Sequence, residues 1–388
     1  MNITKEYFIN LISAFLNNKQ CEYRDDIDYN ELYKLGNMHN VCGIIAKQLM
    51  GFSSENREKI ENLPAFRQQL GYTLISYDKK QRLAKMLRDD FNMNEWKFIF
   101  VKGTAIRHLY PVPELRTSGD IDLFFKKEKY DEILDYYKNK NFEIISNPNE
   151  IVLTVDGEHI ELHNETDFDS PYFKNIFDMS DNQNKFEYGL DMETNLIYVL
   201  THIAKHFNHL GAGIRMFMDV DVLVRNTDNF SSESFLSKCK AANIETFAKA
   251  VFSLCRLWFN TPVESDFVFS DDILKKFESV IIDGGNFGFE GRTLGEYYID
   301  KSLGDGEKNN LVAKLRAIML LLFPSSEILK NNYLYAKKHP FLLPVAWLNR
   351  IFDGIFKRGK NSTNTVKQIF SSGSEAEEYK KLMNELGI

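Results

Sequence analysis

The stretch RTSGDIDLFF, residues 116–125, decides how the rest of the chain is read. It leaves a turn-forming Ser118-Gly119 pair and enters an apolar run that carries two carboxylates. In a strand, successive side chains point to opposite faces. Asp120 and Asp122 therefore share one face, roughly 7 Å apart along the strand, while Ile121 and Leu123 take the other and face a core. Two like charges so placed repel and call for a compensating cation. Mg²⁺ suits that place, because it takes one or two carboxylates together with phosphate oxygens.

Upstream, Lys97 to Val101 is a short β-type run that ends at Lys102-Gly103-Thr104. Thr104 to Leu109 reads as a short helix, which Pro111 and Pro113 end. Downstream come a helix over Lys129–Lys138 and a strand over Phe142–Ile145. Ile151–Val155 and Glu158–His163 then form a hairpin around Asp156-Gly157, a strong two-residue turn signal. Glu161 lies between Ile160 and Leu162 on the closing strand. Placed beside the Asp120 strand, it brings a third carboxylate to the pair. Two metals held there would clamp the attacking and leaving oxygens of an in-line displacement at phosphorus. His163, two residues on, shares the face of Glu161 and comes within reach of the metal site or an acceptor.

The flanks read as helical. Tyr7, Phe8, Leu11, Ile12 and Phe15 recur at helical spacing, as do Leu70, Leu74, Tyr77, Leu83 and Leu87. Helical spacing returns from Met192 through Leu196, Val199, Leu200 and Ile203. The expected division is an N-terminal helical domain over 1–92, an α/β core over 93–190 and a C-terminal helical domain over 191–388. The fold class is α+β. Gly284 to Gly288 is a glycine-rich loop without the Lys-Ser/Thr ending of a phosphate loop, so a structural turn is expected. Residues 335–358 form a basic amphipathic stretch, expected as a helix packed on the core with its polar face outward.

Bulk properties exclude several classes. The chain has 388 residues, 44% of them apolar, 27% charged, with a formal charge of −7. That balance argues against bulk electrostatic binding of nucleic acid. Cys21, Cys42, Cys239 and Cys255 form no Cys-x-x-Cys pair, so reduced thiols are expected rather than zinc ligands. The longest apolar run, Ala317 to Phe323, falls far short of the roughly 20 residues that span a bilayer. No signal-peptide pattern opens the chain, and a cytoplasmic protein without stable membrane insertion is expected.

Three segments together resemble a known superfamily: FVKGTAIRHLY (100–110), RTSGDIDLFF (116–125) and HIELHNE (159–165). They are similar to the polymerase-beta-type nucleotidyltransferases. The nearest pattern is a branch of uncharacterised bacterial nucleotidyltransferases with a Lys-Gly motif followed by Arg-x-x-Gly-Asp-Ile-Asp-Leu. The core likeness covers about 97–165. A looser one runs through THIAKHF (201–207) and GIRMFMDV (213–220).

The resemblance implies a small mixed sheet, palm-like, between helical domains. It implies transfer of a nucleoside monophosphate from an NTP such as ATP to an acceptor hydroxyl, with pyrophosphate released. Two Mg²⁺ ions, with Mn²⁺ as a substitute, would be held by Asp120, Asp122 and Glu161, and Glu161 would help deprotonate the acceptor. That acceptor, a small molecule, a protein or an RNA end, is left open. Where most members carry Gly-Ser, this chain carries Lys102-Gly103-Thr104, with a longer gap to Asp120. Lys102 offers charge to a phosphate, and Gly103 permits close backbone approach. Gly119 belongs to the same phosphate-side set. Arg116 either grips phosphate bidentately or braces Asp120 or Asp122.

From the helical half, Lys205 and His206 are implied contacts to the triphosphate or substrate. His202, four residues before His206 on one helical face, Arg215 and Asp219 belong to the cleft. Arg215 and Asp219, also four apart, are expected to pair along their helix. The altered Lys-Gly motif motivates a second reading, a catalytically silent nucleotide-binding or antitoxin-like module.

Overall fold

The architecture comes from a computed structural model, which describes residues 1–140, 142–166, 171–208, 211–263, 269–287, 302, 310–324, 335–336, 339–356 and 374–388. Five helices open the chain: α1 (Ile3–Leu16), α2 (Tyr29–Met38), α3 (Cys42–Met50), α4 (Ser54–Glu58) and the long α5 (Leu63–Met93). Then come β1 (Phe98–Phe100), α6 (Lys102–Ile106), β2 (Asp120–Phe125), α7 (Tyr130–Asn139), β3 (Glu143–Asn147), β4 (Glu150–Val155), β5 (Glu158–His163), β6 (Ser180–Asn184) and β7 (Glu187–Leu190). Helices α8 (Met192–Phe207), α9 (Ile214–Arg225), α10 (Ser232–Ala241), α11 (Glu245–Phe259) and α12 (Asp271–Gly284) follow, and further helices cover Asn310–Leu322, Leu343–Phe356 and Ser374–Leu386.

The seven strands make one mixed sheet in the order β3-β4-β5-β2-β1-β7-β6. β2 is central, antiparallel to β1 and parallel to β5. The β4–β5 hairpin turns on Asp156 and Gly157, at φ 52° and 78°. Positive φ at both central residues is the turn that matches strand twist. The outer pair β6–β7 was not anticipated. β7 runs parallel to β1, and β6 is the polar stretch SDNQN, which lacks the alternation that marks a half-buried strand.

Alternation along β2 separates two cores. Ile121, Leu123 and Phe125 pack with Leu83, Leu87 and Phe91 of α5 and with Ile133 and Tyr137 of α7. Phe124 points the other way, into the larger cluster that holds α8, α9, α11 and the N-terminal helices. The two ends of α5 serve different clusters, Leu63 and Phe66 the larger one and Leu83 to Phe91 the smaller. Side chains of α1 and α11 are buried in one continuous apolar cluster, and Asn17 donates to the Phe259 carbonyl at 2.9 Å. N-terminal and C-terminal helices thus share a core on the carboxylate face of the sheet.

The C-terminal expectation needs correction. In the Leu343–Phe356 segment, Leu348 and Phe352 are 63% and 64% exposed, and Phe341 just before it is 77% exposed. Apolar side chains, not only polar ones, face outward there. Lys337, Lys338, Lys357 and Arg358 of the basic stretch lie outside the described residues, as does Gly288 of the glycine-rich loop. No helix among the described residues is long and apolar enough to cross a membrane.

Candidate active site

The register of β2 against β5 builds the site. Asp122 stands opposite Glu161, and Phe124 opposite His163. Asp120 lies two residues before Asp122 on the same face. Asp122 is buried, at 2% exposure. Its Oδ1 accepts a hydrogen bond from Lys102 Nζ at 2.6 Å and lies 3.4 Å from His163 Nε2. That nitrogen is also 3.5 Å from Glu161 Oε2, and His163 Nδ1 is 3.4 Å from Glu150 Oε1.

The electrostatics follow from this crowding. Burial alone would raise the Asp122 pKa, but the Lys102 charge and the His163 hydrogen bond outweigh it and hold the carboxyl well below its usual range. Asp120 goes the other way: burial and the nearby Asp122 charge lift it, with Glu161 adding to the effect. Burial disfavours charge on His163, yet hydrogen bonds to Asp122 and Glu161 push its pKa up to about 9. At neutral pH, His163 is therefore an imidazolium that donates to the carboxylates around it.

Lys102 reaches Asp122 through an unusual backbone. It has φ 51°, in the left-handed region, which costs a side-chain-bearing residue energy and clusters at functional sites. The helix starts at Lys102 rather than at Thr104, and the Val101 amide just before it donates to the Asp122 carbonyl at 3.2 Å. Gly103 has a structural reason of its own. A Cβ there would lie 2.1 Å from Arg116 Nη1, so the guanidinium occupies the space a side chain would need. Thr104 Oγ1 is buried and finds no hydrogen-bond partner among the described residues. Nothing among the described residues lies within 4 Å of the Cβ position of Gly119, so they leave space open beside the start of β2.

The helical half closes the site. Arg116 does not brace Asp120 or Asp122; it chelates Asp219 of α9, with Nε to Oδ1 at 3.1 Å and Nη2 to Oδ2 at 2.6 Å. The Tyr110 hydroxyl donates to the same carboxylate. The expected pairing of Arg215 with Asp219 is thus replaced, and Arg215 Nη1 donates instead to the Thr117 carbonyl at 2.6 Å. On α8, His202 and His206 meet through their Nε2 atoms at 3.0 Å. Burial, with the Lys102 charge, keeps the His202 pKa well below its ordinary value, so that ring is neutral. Its Nδ1 is buried without a partner among the described residues. Lys205 is half-buried on the same helix.

The glycine-rich turn is structural, as its sequence implied. The Gly213 amide donates to the Asn286 carbonyl at 3.1 Å, and a Cβ on Gly213 would lie 2.7 Å from Asn286 Cα. His39 ties this corner together. Its Nδ1 accepts from the Ile214 amide, and its Nε2 donates to the Ile282 carbonyl. The start of α9, which carries Arg215 and Asp219, is fixed from two sides.

Residues 25–260 match the profile of a family described as uncharacterised nucleotidyltransferase. The chain belongs to that family. No curated protein and no solved structure matches it.

For a nucleotidyltransferase the donor set is apt. Ligand atoms of Asp122, Glu161 and His163 all lie within 4.8 Å of one another and could hold a metal ion once the His163 ring gives up its proton to the incoming charge. Two of the three donors are carboxylates, and Asp120 stands beside them, which suits a hard divalent cation such as Mg²⁺. The imidazole makes Mn²⁺ acceptable as well. Several participants gave no sign in the sequence. Lys80 of α5, 3% exposed, donates to the Gly119 carbonyl and pairs with Glu158, pinning the start of β2. Arg107 donates to the Gly103 carbonyl and to Ser118 Oγ, tying α6 to the turn before β2. Glu150 stands opposite His163 because β4 pairs with β5, and that hairpin register was the signal that would have found it.

Proposed function

We propose that this nucleotidyltransferase moves a nucleoside monophosphate from an NTP to an acceptor hydroxyl, with Asp120, Asp122 and Glu161 as its metal ligands. The single observation that carries the reading is the β2–β5 register, which sets Glu161 directly beside Asp122 with Asp120 on the same face. Bound there, Mg²⁺ would supply positive charge to the phosphate oxygens of the donor. The acceptor oxygen attacks the α-phosphorus, the bond from that phosphorus to the bridging oxygen breaks, pyrophosphate leaves, and Glu161 takes the acceptor proton. Lys102 and Thr104, at the start of α6, face the phosphates from the sheet side. His202, Lys205 and His206 face them from α8. Arg116 serves differently, holding Asp219 and hence α9 against the Gly103 turn.

In this reading the sheet around β2 is a palm-like catalytic unit, residues 93–190, carried by the helices of 1–92 and 191–388, whose side chains share one core, and it works on cytoplasmic NTP. The test follows the label. With Mg²⁺ and an acceptor extract, α-labelled NTP should pass its label to a product while γ-labelled NTP yields labelled pyrophosphate. Release of inorganic phosphate from γ-labelled NTP would contradict the proposed bond cleavage.

A silent nucleotide-binding module draws on one feature, the Lys102 ammonium already seated on Asp122 Oδ1. It expects NTP binding in calorimetry with no Mg²⁺-dependent pyrophosphate release.

A further inference from the structure

Arg215 is a buried cation whose obvious counter-charge is taken. It sits in the first turn of α9 at 7% exposure. Its Nη1 is held by the Thr117 carbonyl. Its Nε is shut off from solvent and meets no acceptor among the described residues. Asp219, one helical turn on, is chelated by Arg116 and receives the Tyr110 hydroxyl. The Arg116 charge adds to the effect of burial and pushes the Arg215 pKa down to about 10. A guanidinium left in that state opposes folding. An apolar side chain of similar length could fill the space without that cost.

The charge has somewhere to act. Arg215 feels the field of Asp120, at the outer end of the carboxylate row. His202, whose Nδ1 also has no partner among the described residues, feels Lys102 and Asp122 at the inner end. Thr104 Oγ1, on α6, is a third buried polar atom without a partner among the described residues. Arg215 on α9 and His202 on α8 thus keep polar atoms without partners among the described residues within electrostatic reach of one row of carboxylates. The Thr117 carbonyl fixes the guanidinium through one nitrogen, and its Nε is left as a donor for an oxyanion, which a guanidinium fork holds through two oxygens.

We infer that Arg215 anchors a phosphate oxyanion of the substrate at the Asp120 end of the carboxylate row. That group is either one of the nucleotide's own phosphates or a phosphate carried by the acceptor. Only this assignment of source rests on the nucleotidyl-transfer reading; the anion site itself does not.

Full-length wild type, R215M and R215K would be titrated with inorganic phosphate, with pyrophosphate and with a non-hydrolysable NTP analogue plus Mg²⁺. Circular dichroism and melting would check that each variant is folded. R215M should bind at least one of these probes at least about tenfold more weakly, the loss expected for one charge-assisted contact, and R215K should recover part of the affinity. Competition between phosphate and the NTP analogue assigns Arg215 to the nucleotide's phosphates. Simultaneous binding assigns it to a phosphate on the acceptor. Unchanged affinity for all three probes in folded R215M overturns the inference and leaves the transfer reading standing. Arg215-dependent binding of phosphate without any binding of the NTP analogue keeps the inference and overturns that reading. Failure of the wild type to bind any probe overturns both. Should R215M not fold, R215K carries the comparison, because it keeps the charge but lacks the Nε donor; wild-type affinity in R215K then overturns the inference.

Discussion

Arg116 Nη1 stands where a side chain at position 103 would begin, 2.1 Å from the Cβ that Gly103 lacks. The glycine of the Lys-Gly turn and the arginine before the carboxylate pair are therefore one device. A methyl group at 103 must drive the guanidinium off, and Arg116 is what holds Asp219. Gly103→Ala should cost about 1–3 kcal/mol, the usual range for overpacking, in urea denaturation. A stability equal to wild type would mean that Arg116 has another place to go.

The Arg116–Asp219 pair is nearly solvent-free, each side chain at 5% exposure. Arg116→Met leaves a buried carboxylate without its partner and should destabilise by about 3–5 kcal/mol. Adding Asp219→Leu should return much of that loss. A double-mutant cycle measures the coupling, and strictly additive single losses would show that the two groups do not act as a pair.

The difference between what could and could not be read from the sequence lies in range. Strand period and the Asp156-Gly157 turn are local, so Asp120, Asp122 and Glu161 were legible as one face before their contact was known. Asp219 was assigned to Arg215 because helical spacing rewards the neighbour four residues away. Its actual partner, Arg116, is 103 residues distant, and Tyr110 is 109 distant; no spacing rule reaches that far. Lys80 is hidden for a similar reason. On an amphipathic helix a lysine reads as solvated, and only the hairpin that brings Glu158 to it makes burial tolerable. The strand β6 was missed because its residues are polar and mostly exposed at the sheet edge, so no alternation marked it.

His39 sets an acid limit on the fold. It is fully buried between two backbone partners, and burial lowers its pKa to about 4 from an ordinary 6.5. The unfolded chain binds this proton more readily between those values, so stability rises with pH across that window and falls as acid is added. Complete protonation should forfeit about 3 kcal/mol, seen as a falling Tm from pH 6.5 toward 4. His39→Gln should flatten that part of the profile; an unchanged slope would assign the acid sensitivity to other groups.

Lys102 supplies the positive charge that Asp122 meets without a metal. Lys102→Met should destabilise the metal-free protein by about 3–5 kcal/mol, as for any buried pair deprived of one member. Mg²⁺ or Mn²⁺ should then stabilise the variant more than the wild type. At about 100 times its dissociation constant the ion adds about 2.7 kcal/mol, readable in a melting scan. Equal metal-induced shifts in the two proteins would show that Lys102 and the ion do not share Asp122.

The claim at the centre is that Asp120, Asp122 and Glu161 act as one divalent-cation site on which nucleotidyl transfer depends. Pyrophosphate release from NTP, followed with Mg²⁺ and with EDTA, tests it most directly in wild type, Asp120→Asn, Asp122→Asn and Glu161→Gln. The account predicts Mg²⁺-dependent release by the wild type and a loss of about a hundredfold or more, roughly 2.7 kcal/mol of barrier, in each folded variant. Release that persists in Asp122→Asn, or that proceeds equally in EDTA, would contradict it.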